Sequence, residues 1–244
     1  MEIYVQSRGL EKDYNWVARE ENHSEEIHIT VPDIIAKATD LIDAQDFSVV
    51  LLRSRNALLL LVTGLETQRQ DIQSRNIINS IAWVGRNENE FLLRRIAALA
   101  LMNQLEQRIN DAVKSSNNLV GFDVDWKAIE QLIAVDITQN ELLQKEEEKA
   151  QIARISEARK QELAEKLIKY RLPDGEGALV IVTGIKSKEA LEAAVVWRGL
   201  SSDTKIQQSW QPIIKEVNNQ PNEDASTSEN IFCDIIKSVF GTRI

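Results

Sequence analysis

Cysteine is almost missing from this chain: Cys233 stands alone among 244 residues, so no disulfide can form within it. Imidazole is nearly as scarce. His23 and His28 flank Ser24-Glu25-Glu26-Ile27, a spacing that places them on one face of neither a helix nor a strand, so no metal site is expected. Long apolar runs are absent too. The longest span residues 57–62 and 96–102, against the roughly 20 residues that cross a bilayer, so no membrane-spanning helix is expected. The amino terminus has no basic leader followed by an apolar stretch, which makes a cytoplasmic location the expectation. Neither a G-x-x-x-x-G-K-[ST] nor a G-x-G-x-x-G pattern occurs, and no cofactor is expected. No nucleophile has an evident base beside it, so the chain reads as a non-enzyme.

What is present is an ordinary globular content of apolar side chains, 43%, and a net charge of −9 that is unevenly spread. Residues 1–48 carry 4 basic and 11 acidic side chains, whereas residues 49–110 carry 8 basic and 5 acidic. All eight of those bases are arginine: Arg53, Arg55, Arg69, Arg75, Arg86, Arg94, Arg95 and Arg108. Arginine's planar fork suits carboxylate or phosphate, whether in a ligand or in the acidic first 48 residues. An excess of three positive charges in a chain of −9 is small for a phosphate backbone, so nucleic acid is disfavoured as a partner.

One phrase occurs twice. Residues 57–65 contain Val62-Thr63-Gly64-Leu65 and lead to Trp83-Val84-Gly85; residues 177–185 contain Val182-Thr183-Gly184-Ile185 and lead to Trp197-Arg198-Gly199. The match predicts two related units of strand, turn and Trp-x-Gly. The first has 19 residues from Gly64 to Trp83 and the second 13 from Gly184 to Trp197, and the surplus lies beside Arg69, Asp71 and Arg75.

The pattern along the chain predicts an α+β fold, a mainly antiparallel sheet packed by long helices. Strands are expected at residues 3–7, 47–53, 57–65 and 76–84, with a polar loop over 66–74. Helices are expected over 32–44, 90–113, from Asp125 onward, and over 139–170, where Glu and Lys recur four apart. A further helix is expected to start at Ser202 or Asp203 and run toward residue 217. The expected organisation is a sheet domain at 1–136, a charged connecting helix at 137–171, a second smaller unit at 172–217, and a linker with a terminal amphipathic helix at 218–244. That last helix would present Ile231, Phe232, Ile235, Ile236, Val239 and Phe240, a stripe able to pack on its own domain or to dock on a partner.

The candidate site is the arginine loop. Arg69-x-Asp71-x-x-x-Arg75 at the end of buried strands, with Arg53 and Arg55 in a neighbouring hairpin turn, could grip an anion, Asp71 orienting one guanidinium; equally, its own salt bridges could pin it. The phrases Tyr4-Val5-Gln6-Ser7-Arg8-Gly9 and Val62-Thr63-Gly64-Leu65 through Asn79-Ser80-Ile81-Ala82-Trp83-Val84-Gly85 resemble uncharacterised bacterial proteins that look like accessory components of NTPase-centred conflict or signalling systems. The resemblance covers about the first 100 residues, brings no site residues with it, and implies a regulatory role in a bacterial defence or signalling complex. Two functions therefore stand as expectations. One is a non-enzymatic adaptor or regulatory subunit acting on another protein, and the other a binder of, or enzyme on, a small phosphate- or carboxylate-bearing molecule at the arginine loop.

Overall fold

The computed structural model describes residues 1–19, 30–134 and 149–213. The chain divides into a unit of Met1–Ile213 and a second of Ile214–Ile244. The second unit, with the terminal helix expected at residues 231–240, lies outside the described residues, as do His23, His28 and Cys233.

The first unit is built on one nine-stranded sheet, as the α+β pattern predicts. In chain order its strands are β1 (Glu2–Ser7), β2 (Asn15–Ala18), β3 (Ser48–Ser54), β4 (Ala57–Gln70), β5 (Asn76–Gly85), β8 (Gln151–Arg154), β9 (Gly177–Thr183), β10 (Arg198–Ser201) and β11 (Gln211–Pro212); β6 (Val113–Ser115) and β7 (Phe122–Val124) form a small separate ladder. The spatial order is β11-β8-β10-β9-β3-β4-β5-β1-β2. All ladders of the large sheet are antiparallel except β8 with β10 and β10 with β9. Residues 172–217, expected as a second unit, thus put β9, β10 and β11 into the same sheet, and the boundary expected at 171/172 falls inside it.

Burial on both faces explains why the central strands are leucine-rich with little alternation. Leu58, Leu60 and Val62 of β4 pack into a large core under the helices α2 (Glu90–Leu101), α3 (Glu106–Ala112), α4 (Trp126–Ala134) and α5 (Glu157–Lys169). Leu59 and Leu61 point the other way, against Ile34, Ile35 and Ala38 of α1 (Asp33–Thr39). A third cluster joins Ile152, Ile181 and Val196 to Leu191 of α6 (Lys188–Ala193). With α5 and α6 on opposite faces, both parallel crossovers fit the usual right-handed rule.

Local chemistry sets the helix starts. Ser156 Oγ accepts from Arg159 N at the head of α5, Ser187 Oγ from Ala190 N at the head of α6, and Asp125 Oδ1 from Ala128 N at the head of α4. Three expectations need correction. The helix expected over 90–113 breaks after Leu101, because Asn103 enters the left-handed region (φ 58°) and Gln104 N bonds back to Leu99 O, a helix-ending motif in which asparagine can replace glycine. Of the helix expected over 139–170, residues 139–148 lie outside the described residues, and among the described ones it starts at Glu157; residues 151–154 are instead a strand, with Ile152 and Ala153 both fully buried between β10 and β11. Among the described residues after Ser201 no helix forms: Asp203 Oδ2 accepts from Lys188 N at α6, Oδ1 accepts from Lys205 N, and Pro212 sits in an edge strand, where its missing N–H is tolerated.

The repeated phrase holds for its first half only. Thr63 lies opposite Ser48, and Thr183 Oγ1 lies 3.4 Å from Ser48 Oγ, so both threonines flank one residue of β3 at the same level. Ser201 continues this buried row opposite Thr183. Beyond it the two units diverge. β4 turns back as an antiparallel hairpin into β5, which holds Trp83, whereas β9 crosses over through α6 to the parallel β10. Within β4 the Thr63-Gly64 step is a bulge, since Val62 pairs with Ile81 but Leu65 with Asn79.

Candidate functional site

The residues expected as one site separate to opposite ends of β4. Arg53 and Arg55 lie at the β3–β4 turn, before the first residue of β4; Arg69, Asp71 and Arg75 lie at the far tip, where β4 and β5 extend beyond the bulge. The expected loop over 66–74 is largely strand, because β4 runs on to Gln70 and Gln70 pairs with Asn76. The surplus residues of the first copy are this hairpin extension.

At the tip Asp71 is the organising group. Its Oδ1 accepts from Gln73 N (2.8 Å) and Arg75 N (3.0 Å), and its Oδ2 accepts from Arg75 Nε (2.8 Å) and Arg8 Nη2 (2.5 Å). Ser74 N donates to Asp71 O, which closes the turn and places Ser74 at φ 58°. Arg69 does not pair with Asp71. Its Nη2 donates to Ser7 Oγ (2.6 Å) and Asn79 Oδ1 (2.8 Å), and its Nη1 lies 3.5 Å from Arg8 O. Asn79 passes the network on to Asn110 Oδ1, and Asn110 Nδ2 donates to Glu66 O. The guanidinium of Arg8 stacks over the Tyr14 ring at 4.9 Å, and Tyr14 Oη accepts from Ile78 N.

Arg8 and Tyr14 are the members that sequence reasoning missed. The available signal was the position of Arg8 one residue past β1, but only the pairing of β1 with β5 brings it to Asp71, 63 residues away. Two exposed aliphatic side chains complete the tip: Ile72 N donates to Leu10 O at 3.3 Å, and Leu10 and Ile72 are 58% and 62% exposed. The loop that holds Leu10 is fixed against the β6–β7 loop by glycine contact: a Cβ on Gly9 would come within 2.7 Å of the Gly121 Cα. Arg75 remains 62% exposed beside them, while Arg8 is nearly covered. The same loop also carries Glu11, Lys12 and Asp13.

The charge states at the tip are fixed over a wide range of pH. Backbone and side-chain hydrogen bonds, first of all from the Arg75 N–H, lower the Asp71 carboxyl to about 2, although burial opposes them. Burial lowers the Arg69 guanidinium, yet arginine stays charged in proteins. Such groups bind well and transfer protons poorly, since a general acid or base works near its own pKa. Among the described residues no cluster of His, Cys, Asp and Glu could hold a metal ion, and no helix is long and apolar enough to cross a membrane.

The Asp71 shift carries a pH prediction. Because the folded pKa lies below the usual 3.8, its contribution to stability is present above about pH 4 and is lost as pH falls toward 2. Melting temperatures between pH 5 and 2 should fall less steeply in Asp71→Asn than in the parent. Some slope should persist, because the hydrogen bond from Lys205 also lowers Glu189 to about 2. Identical slopes would show that folding does not lower the Asp71 pKa.

No known protein family, curated protein or solved structure matches this chain, so the resemblance drawn from its first 100 residues has no support from those comparisons.

Proposed function

We propose that this protein is a non-enzymatic adaptor or regulatory subunit whose hairpin tip docks a segment of another protein bearing both apolar side chains and carboxylates. The observation that carries the reading is the Ile72–Leu10 backbone hydrogen bond, which joins two residues with exposed aliphatic side chains at the turn that also carries the solvent-facing Arg75. Aliphatic anchors beside a pre-positioned guanidinium are the ingredients of an interface centre. Asp71 supports the reading by fixing Arg75 from both its backbone and its Nε, which reduces the ordering cost of a salt bridge to a partner. Arg69 belongs to the support of the tip rather than its face, because its fork is occupied by Ser7 and Asn79.

The test is selection of peptides from a random display library on the immobilised full chain. Enriched peptides should combine Asp or Glu with large apolar residues, and Ile72→Asp with Arg75→Glu should weaken them by about ten-fold or more, as for other interface centres. Peptides that bind the parent and this double variant equally would overturn the proposal.

A further inference from the structure

At the other end of the sheet, two Arg-Asn dipeptides leave the strands side by side. Arg55-Asn56 forms the two-residue turn between β3 and β4, where Ser54 pairs with Ala57; Arg86-Asn87 follows β5. Leu58 pairs with Gly85 as the outermost rung of β4 with β5, so Arg86-Asn87 follows that rung directly and Arg55-Asn56 lies just beyond Ala57. Together with Glu88 they line an open groove of about 530 Å³.

The arginines of this groove are free to take a ligand. Arg55 is 88% exposed, and its Nε lies 3.9 Å from Glu176 Oε1, too far for a charge-assisted hydrogen bond. Among the described residues Arg86 has no carboxylate partner within salt-bridge distance. Glu90, two residues after Glu88, is already occupied: its Oε2 accepts from Arg53 at 2.8 Å and its Oε1 from Leu172 N at 2.9 Å, with Arg94 Nε at 3.4 Å. Glu88 is the one carboxylate in the lining.

We infer that this groove is a binding site for a small molecule carrying a polyvalent oxyanion, with Arg55 and Arg86 as paired forks and Asn56 and Asn87 as carboxamide partners. Two arginines on separate turns, whose backbones the β3–β4 and β4–β5 ladders bring to one groove, can present two guanidinia to a ligand with more than one anionic oxygen pair. The volume is within the range of small-ligand sites, and the openness of the groove suits a ligand bound by charge and hydrogen bonds. This site shares no residue with the hairpin tip, and it stands whether or not the tip docks a protein.

Calorimetric titration of the full chain with sodium pyrophosphate and with citrate, at matched ionic strength, tests the inference and tells phosphate from carboxylate. Saturable binding of at least one probe is expected. Arg55→Ala with Arg86→Ala should weaken it by about ten-fold or more, whereas Arg75→Ala at the tip should leave it within about two-fold. Both substituted side chains of the groove are solvent-exposed, so circular dichroism should show the fold retained. Failure of both probes to saturate, or equal binding by parent and double variant, or an equal loss in Arg75→Ala, would overturn the assignment.

Discussion

Replacing Glu90 with alanine should lower the melting temperature by roughly 6–20 °C, the largest effect expected from removal of a single charge in this chain. Glu90 opens α2 and stands between two buried guanidinia, those of Arg53 on β3 and Arg94 on the next turn of α2, which are 5% and 1% exposed. Arg94 in turn donates to Leu167 O and Tyr170 O, both at 2.5 Å, at the end of α5. The carboxylate also accepts from Leu172 N, on the approach to β9. One side chain thus links the antiparallel half of the sheet, its helical cover and the parallel half. Removing it leaves two buried cations without an anion, and breaking a buried pair in this way costs about 3–5 kcal/mol. Glu90→Gln keeps the volume and an acceptor for Leu172 N but loses the charge, so its loss should be intermediate. A change below about 0.5 kcal/mol in both variants, measured by urea unfolding, would show that the cluster contributes nothing net.

The second large effect is expected at the bulge. Gly64 has φ +69°, and a Cβ there would lie 2.1 Å from both the Asp46 carbonyl carbon and the Phe47 nitrogen. Backbone on both sides leaves no flexible side chain to move aside. Left-handed conformation costs a non-glycine residue about 1–2 kcal/mol and overpacking a further 1–3, so Gly64→Ala should destabilise by about 2–5 kcal/mol. The loss should spread to neighbouring contacts, since Thr63 Oγ1 and Ser48 Oγ both donate to Asp46 O beneath the bulge. Gly175→Ala is the control. A Cβ there meets nothing within 4 Å, and its stability should change by no more than about 0.5 kcal/mol. Equal stability of the two variants in urea unfolding would show that the loop holding Asp46 moves away without cost.

The α+β class, the central leucine-rich strands and the starts of α1, α2 and α4 were legible because they depend on neighbours in sequence. The unbroken run Leu58-Leu59-Leu60-Leu61 demands burial on two faces wherever it lies, and all four are fully buried. Asp125 caps α4 through an N–H group only three residues away, whereas the caps at Ser156 and Ser187, equally local in their chemistry, were not read. The break at Asn103 was missed because asparagine marks a left-handed helix end less plainly than glycine.

The candidate site was legible only in part. Arg69, Asp71 and Arg75 stood out by spacing, but the spacing left open which guanidinium Asp71 orients; Asp71 holds Arg75 and Arg8, and Arg69 holds Ser7 and Asn79. Ser7 ends β1, Arg8 follows it and Asn79 belongs to β5; the place of β1 beside β5 is set by a ladder between segments more than 70 residues apart.

By itself, then, the amino-acid sequence determined that the leucine-rich strands must be buried, that a helix begins at Asp125, and that arginine would dominate residues 49–110. Tertiary structure alone decided that Gln151-Ile152-Ala153-Arg154, read as helix, is a strand, because its backbone is paired on both sides by β10 and β11. It also decided that two copies of Val-Thr-Gly serve as a bulge in one strand and the end of another, and that the arginines divide between two ends of the sheet. The physical reason is the same in each case: backbone pairing and ion pairing depend on which distant segment lies alongside, and local residue preference does not encode that register.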